Sequence, residues 1–374
     1  MTPVADKLNA QDWDALSMQL YSKTAKDVEQ ALMRPKRTLE DFMALVSPAA
    51  EPYVAQMSAL ADQLTRQRFG YTMGLFVPLY LSNLCANECT YCGFSMSNRI
   101  KRTTLTLDQI KQEAAAIKAM GFNQLLLVTG EHETKVGMHY FCEVVTYLKT
   151  QFDYVMMEVQ PLSTCDYETL HQAGVNAVLV YQETYQRRAY ARYHLRGNKQ
   201  DFDWRLQTPD RLGQAKMDKI GVAALLGLND WRTDSVMTAL HVQLLQQHYW
   251  RSRYVIGFPR LRPCEGSENS TTSGQFISSR QLVQLICAHR LLHPYVELSL
   301  STRESQAFRD HASAFGITSM SAGSSTQPGG YSNTTKALAQ FDTNDTRSPD
   351  EVAQALVAKG IAPVWSDWLQ GFRS

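Results

Sequence analysis

Residues 74–99 read GLFVPLYLSNLCANECTYCGFSMSNR, a short apolar run that breaks into a polar loop carrying Cys85, Cys89 and Cys92 in a C-x3-C-x2-C spacing. The run GLFVPLYL has the length of a buried strand. It is the first of eight. QLLLVTG (124–130), YVMMEVQ (154–160), NAVLVYQ (176–182), KIGVAALLGL (219–228), RYVIGFP (253–259), VELSLS (296–301) and GITSMS (316–321) follow, separated by amphipathic segments such as LDQIKQEAAAIKAMGF and SRQLVQLICAHRLL. Alternating strands and helices on this scale match a closed barrel. The chain is therefore expected to be α/β, a (β/α)8 TIM-type barrel over residues 71–330, with a doubly wound open sheet as the competing architecture.

Residues 1–70 are polar and helix-rich and form an N-terminal helical extension with no evident chemistry. Residues 331–374 form a C-terminal extension packed on the barrel, with one more helix, PDEVAQALVAKG, and tryptophans in IAPVWSDWLQGF that pack back on the body. The Ser/Thr/Gly-rich stretches PCEGSENSTTSGQ (263–275) and SAGSSTQPGGYSNTTK (321–336) read as loops. Both follow strands, on the side where a barrel builds its active face. The first is either part of that face or a plain connector.

The 37 basic and 36 acidic residues leave a formal charge of +1, so no global field draws the chain to nucleic acid or to an anionic membrane. A small-molecule partner fits better. The start, MTPVADKLNAQDWDAL, lacks a basic n-region and an apolar h-region, and no later run approaches the ~18 apolar residues of a spanning helix. A cytoplasmic protein is expected. Seven cysteines, three of them bunched in the loop, suit a reducing compartment and a metal site rather than a disulfide framework.

Three closely spaced thiolates can bind zinc or an iron-sulfur cluster, since both take soft anionic ligands. Zinc closes its tetrahedron with a fourth ligand, but the nearest following histidine is His132 and the chain has no second C-x2-C pair. A cubane cluster with one uncoordinated iron needs only three protein thiolates. That iron is then open for chemistry.

C-x3-C-x2-C after the first strand of a barrel is the cluster pattern of the radical S-adenosylmethionine (radical SAM) enzymes, which this chain resembles over roughly residues 71–325. The resemblance implies a barrel of the radical SAM kind, one 4Fe-4S cluster with an open iron held by Cys85, Cys89 and Cys92, and SAM as cofactor. A closer likeness rests on YLSNLCANECTYCGFSMSNRIKR, LLLVTGEHETKVGM, MEVQPL, VYQETY, FPRLRPC, LSLSTRES and STQPGGY in this order. Together they resemble the 2-iminoacetate synthases, the tyrosine lyases of thiamine thiazole biosynthesis, from about QDWDAL to PVWSDW. That family abstracts hydrogen from the amino group of L-tyrosine and breaks its Cα–Cβ bond, giving 2-iminoacetate (dehydroglycine) and p-cresol. SAM is cleaved to deoxyadenosine and methionine. A reduced flavodoxin or ferredoxin type electron donor and thiazole synthase are the implied partners.

By the same resemblance Tyr91 lies near the adenine of SAM. TGEH follows the second strand where radical SAM enzymes carry a Gly-Gly-Glu-like segment for the SAM amino group; Thr129 replaces the first glycine, leaving Gly130 and Glu131. Gln160 and Glu183 end strand runs and are expected to reach the ribose or amino acid part of SAM. Arg205 is either a bidentate partner of the SAM carboxylate or a salt-bridge partner of Asp203 or Asp210. For tyrosine, Arg303 closes the seventh strand with a planar donor fork suited to the carboxylate, while Arg260 and Arg262 are the alternatives. Tyr80 and Ser321 occupy positions similar to ones lining the pocket of related aromatic amino acid lyases. Cys142 and Cys287 read as small core residues, Cys165 as a helix start and Cys264 as a loop residue.

The nearest rival is the tyrosine-cleaving maturase of iron-iron hydrogenase, whose C-terminal extension carries further cysteines; here none follows Cys287. Biotin synthase would need second-cluster ligands that have no counterpart. From another class, a non-catalytic iron-sulfur scaffold for thiazole synthase would not need Glu131, Glu183 and Arg303 at one mouth.

Overall fold

A computed structural model describes residues 4–262, 276–332 and 339–366. The loop 263–275 with Cys264, part of the second Ser/Gly-rich loop and Trp368 lie outside the described residues. Each of the eight runs contains a strand: β1 (Thr72–Ser82), β2 (Gln124–Thr129), β3 (Tyr154–Glu158), β4 (Ala177–Leu179), β5 (Lys219–Val222), β6 (Arg253–Gly257), β7 (Glu297–Leu300) and β8 (Ser319–Ser321). Neighbours pair in parallel in this order, and β8 returns to β1 with Gly74 opposite Ser319 and Phe76 opposite Ser321. The sheet is closed, so the open-sheet alternative does not hold. Capping boxes at Thr106, Ser163 and Ser278 start three of the outer helices, their hydroxyls accepting from the backbone three residues on.

Strand period decides what faces where. Leu75, Val77, Leu79 and Leu81 of β1, Leu125 and Leu127 of β2, and Val155 and Met157 of β3 pack outward in the large core with the helices. The residues between them, Tyr80, Leu126, Val128, Tyr154 and Met156, form a separate apolar cluster inside the barrel. Glu158 is in phase with Tyr154 and Met156. Arg303, beyond β7, is in phase with Glu297 and Ser299. At the amino end of the strands the interior is plugged: Lys219 Nζ donates to Glu297 Oε2 at 2.8 Å and lies 4.9 Å from the centre of the Tyr154 ring, and Arg253 approaches Glu297 at 3.7 Å.

The N-terminal helices pack on the outside, where Gln284 of the barrel helix Ser279–Leu292 donates to the carbonyls of Leu45 and Ser47. Cys287 is buried in that helix, Cys142 is half-buried and Cys165, second in its helix, is exposed. After the helix Pro349–Val357, the strand β9 (Ala362–Val364) pairs with Thr72–Gly74, and Trp365 packs edge-on against Phe122. Before that helix the chain crosses the carboxyl end of the barrel, with Asn344 N donating to Thr302 O and Arg309 paired to Asp345 in the interior.

Candidate active site

Two adjoining cavities open at the carboxyl ends of the strands. The outer one, about 110 Å³, is lined by Cys85, Cys89, Cys92, Glu131, Glu183 and Arg205 among others. The inner one, about 90 Å³, runs between Phe76, Tyr80, Leu126, Ser299 and Ser321. None of residues 4–70 lines either.

The cysteine loop is pinned rather than slack. Arg102 donates to the carbonyls of Asn83, Phe94, Ser95 and Asn98, and Ser95 Oγ accepts from Cys89 N at 3.1 Å. Glu88–Cys89 pairs antiparallel with His194–Arg196, tying the loop to the segment that carries Lys199 and Arg205. Gly130 makes this approach possible: a Cβ there would sit 2.4 Å from Leu84 O and 3.1 Å from the Cys85 Cβ. Asn87 is the hub. Its side chain donates to Glu131 at 2.7 Å and accepts from Lys199 N at 3.0 Å, while its own N–H points at Cys85 Sγ at 3.5 Å.

Behind the thiols lies a charge network. Arg205 reaches Glu131 at 3.0 Å and Glu183 at 3.7 Å, and its Nε donates to Tyr181 O. Neither Asp203 nor Asp210 is its partner: Asp203 pairs with Arg187, and Asp210 accepts from Val4 N, Ala5 N and Tyr249. Lys199 donates to Glu183 at 2.8 Å. Burial would raise the Glu183 carboxyl, but Lys199 and Arg205 outweigh it and hold the group below its ordinary value. Glu183 stands at φ +70°, a strained conformation for a side chain of its kind. The strain is held by Asp234, which accepts from Tyr185 N and Thr184 Oγ1, and by Leu225 N donating to Glu183 O. Tyr91 lines the cavity and bonds His194 Nε2 at 2.7 Å. His194 is pushed down to about 3 by burial, and its Nδ1 faces Tyr190 O, so the ring is neutral, Nδ1 carries the proton and Tyr91 donates. Gln160 is not in this cavity. It lines an adjacent one with Glu131 and Asn87; its amide donates to Val136 O and its Oε1 is buried without a hydrogen-bond partner.

The three arginines proposed for a carboxylate separate cleanly. Arg260 is engaged by Glu304 through two nitrogens, and Arg262 reaches the same carboxylate at 3.3 Å. Arg303 makes no ion pair with a carboxylate among the described residues; its guanidinium stacks on Phe341 at 3.4 Å and lines both cavities. Tyr80 donates to Gln340 Oε1 at 2.7 Å, and Ser321 Oγ accepts from Thr302 N at 3.3 Å.

Several residues here escaped the sequence reading. Gln340 and Phe341, from the C-terminal extension, line both cavities and carried no signal, and Lys199 and Asn87, which line the outer one, carried none either. Glu158 was findable, as the only charged residue in YVMMEVQ and in phase with the interior-facing Tyr154. Burial raises its carboxyl to about 7, against the lowering influence of Arg303.

Among the described residues no three His, Cys, Asp or Glu side chains converge on a single metal ion. Three reduced thiols on one cavity wall suit a larger anionic group better. Asn87 N and Gln340 Nε2 (3.9 Å from Cys92 Sγ) offer hydrogen bonds to sulfur, and Lys199 and Arg205 offer compensating charge. Burial raises the Cys85 thiol to about 11 and Cys89 well above the ordinary value, so thiolates here need a cationic centre to be stable.

Residues 79–240 match the model of the radical SAM superfamily, and residues 257–362 that of the Biotin and Thiamin Synthesis associated domain. The chain is 56% identical over 369 residues to 2-iminoacetate synthase of Escherichia coli K12, covering 98% of this chain and 97% of that one. It is 53% identical to the Salmonella typhimurium enzyme of the same name over the same shares. A crystal structure of HydG, a maturase of the FeFe-hydrogenase, superposes with a TM-score of 0.88 at 28% identity, covering 94% of this chain and 80% of that one. Sequence, closed barrel and cysteine cavity agree, and this chain belongs to the 2-iminoacetate synthase family of radical SAM enzymes.

Proposed function

We propose that the chain cleaves the Cα–Cβ bond of L-tyrosine to give 2-iminoacetate and p-cresol, supplying the thiazole of thiamine diphosphate. The observation that carries this reading is the pair of adjoining cavities: one with three thiols, the other of aromatic lining, with Arg303 shared between them. When bound, the 4Fe-4S cluster and SAM supply the one-electron chemistry that removes a hydrogen atom. Cys85, Cys89 and Cys92 hold the cluster. Glu131, with Gly130 giving it access, receives the SAM ammonium, and the Arg205 fork receives its carboxylate, each exchanging their mutual ion pair for the ligand. Glu183 and Tyr91 border the rest of SAM, and Gln160 lines the neighbouring cavity that Glu131 also borders.

Arg303 takes the tyrosine carboxylate, while Tyr80, Ser321 and the apolar inner wall surround the side chain. Phe341 and Gln340 cover the mouth and exclude water. In this reading the chain divides into 1–70, 71–330 and 331–374, and the last part lends these two residues to the site. A flavodoxin or ferredoxin type donor, thiazole synthase and a cytoplasmic setting complete the reading; among the described residues no helix is long and apolar enough to cross a membrane. Anaerobically reconstituted protein with reductant, SAM and L-tyrosine should release p-cresol and deoxyadenosine. Protein with a full cluster that cleaves SAM yet forms no p-cresol would overturn the lyase assignment.

A further inference from the structure

Among the described residues eight line both cavities, and of these only Arg303 and Glu158 carry charge. The boundary between the cavities is where the reacting atoms of cofactor and substrate must meet. An α-amino acid presents a carboxylate and an ammonium on one carbon, and this boundary presents a cation and a carboxylate. Among the described residues Arg303, stacked on Phe341, pairs with no acid, and the carboxylate of Glu158 makes no hydrogen bond or ion pair. The site is thus complementary to the head group as a pair.

We propose that Glu158 receives the α-ammonium of tyrosine and takes one proton from it, so that the nitrogen enters the reaction as a neutral amine. The step is a simple transfer: one N–H bond breaks, its electron pair stays on nitrogen, and an O–H bond forms on the Glu158 carboxylate. No oxidant or further reactant is needed. This rests on the tyrosine lyase reading and gives a new residue a role at its reacting nitrogen.

The surroundings favour the transfer. Glu158 comes from the end of β3; facing it are Arg303 from beyond β7, Glu183 and Tyr181 from beyond β4, Lys199 and Arg205 from the segment paired with the cysteine loop, and Tyr80 from β1. Burial is the largest influence and already favours the protonated carboxyl. Arg303 opposes it, and a substrate carboxylate docked on Arg303 would cancel that opposition. With Lys199 and Arg205 already engaged by carboxylates, no other charge in this group is uncommitted. Moving the proton then replaces two buried charges by two neutral groups, which a dry cavity prefers.

The test is equilibrium binding to the full chain, anaerobically reconstituted and with SAM present, using L-tyrosine and 3-(4-hydroxyphenyl)propanoate, which lacks the amino group. Glu158→Gln should lose on the order of tenfold in affinity for tyrosine and less than about twofold for the desamino acid, whose binding also shows that the variant is folded. Glu158→Asp should recover part of the preference for tyrosine. In turnover, p-cresol formation by Glu158→Gln should rise as pH passes the ammonium pKa of free tyrosine, relative to the unsubstituted chain. Equal losses for both ligands, or none for either, would overturn the role of Glu158 while leaving the lyase intact. Failure of the unsubstituted chain to bind tyrosine would overturn the lyase reading itself.

Discussion

The two ends of the barrel interior use the same strands for opposite purposes. At the amino end, Lys219 of β5, Arg253 of β6 and Glu297 of β7 meet in a closed ion-paired layer against Tyr154. Four residues further along β3 stands Glu158, and six beyond Glu297 stands Arg303, with the cavities between the strands. Below, both cations share the Glu297 carboxylate within the chain. Above, a carboxylate and a guanidinium are held on rigid elements and left for a ligand. A layer whose charges pair with one another plugs a barrel, whereas one whose charges are left unpaired can receive a ligand, and burial of charge alone does not tell the two apart.

The largest effect should come from Cys89→Ala. With one thiolate gone the cluster loses a ligand, SAM cleavage should be abolished, and the far-ultraviolet dichroism of the barrel should remain. Retained cleavage would mean that another residue supplies the ligand. Next, Lys219→Met at the closed end leaves Glu297 and Arg253 to each other and should cost about 2 kcal/mol of stability, discounted for the part exposure of Glu297. Its tyrosine affinity should stay within about twofold. A large loss of affinity here would erase the distinction between the two ends.

A pH-dependent effect concerns Glu158 in the folded chain without substrate. Its carboxyl is raised from 4.5 to about 7, so between these values the folded state keeps a proton that the unfolded state has released. Stability from this group therefore falls as pH rises through that window and levels off above it. Glu158→Gln should remove that slope, a difference of about 3 kcal/mol between pH 4 and pH 8. Denaturant titrations at the two values measure it, and identical slopes would show that Glu158 is ordinarily solvated.

Much of this was readable in advance, and the reasons are local. Strands such as QLLLVTG and VELSLS announce themselves because period-two burial and strand length are properties of short segments, and the cysteine spacing lies within one loop. Arg205 was readable as a residue but not as a partner, because Glu131 and Glu183 reach it only once β2, β4 and the segment near His194 converge. Gln340 and Phe341 were hidden for the same reason: they lie far along the chain from Cys92 and Arg303, and only the closed barrel brings them over its mouth. Gln160 shows the converse, a strand-end position that falls just behind the expected cavity.

The central claim is that the open end is built around Arg303, which pairs with no carboxylate among the described residues, as the cation for an amino acid carboxylate. The direct measurement is the dissociation constant of L-tyrosine for the reconstituted, SAM-bound chain and for Arg303→Ala and Arg260→Ala. Arg303→Ala should weaken binding on the order of 10 to 100-fold, and Arg260→Ala, whose guanidinium already belongs to Glu304, should leave it nearly unchanged. Unchanged binding in Arg303→Ala together with a large loss in Arg260→Ala would contradict the account.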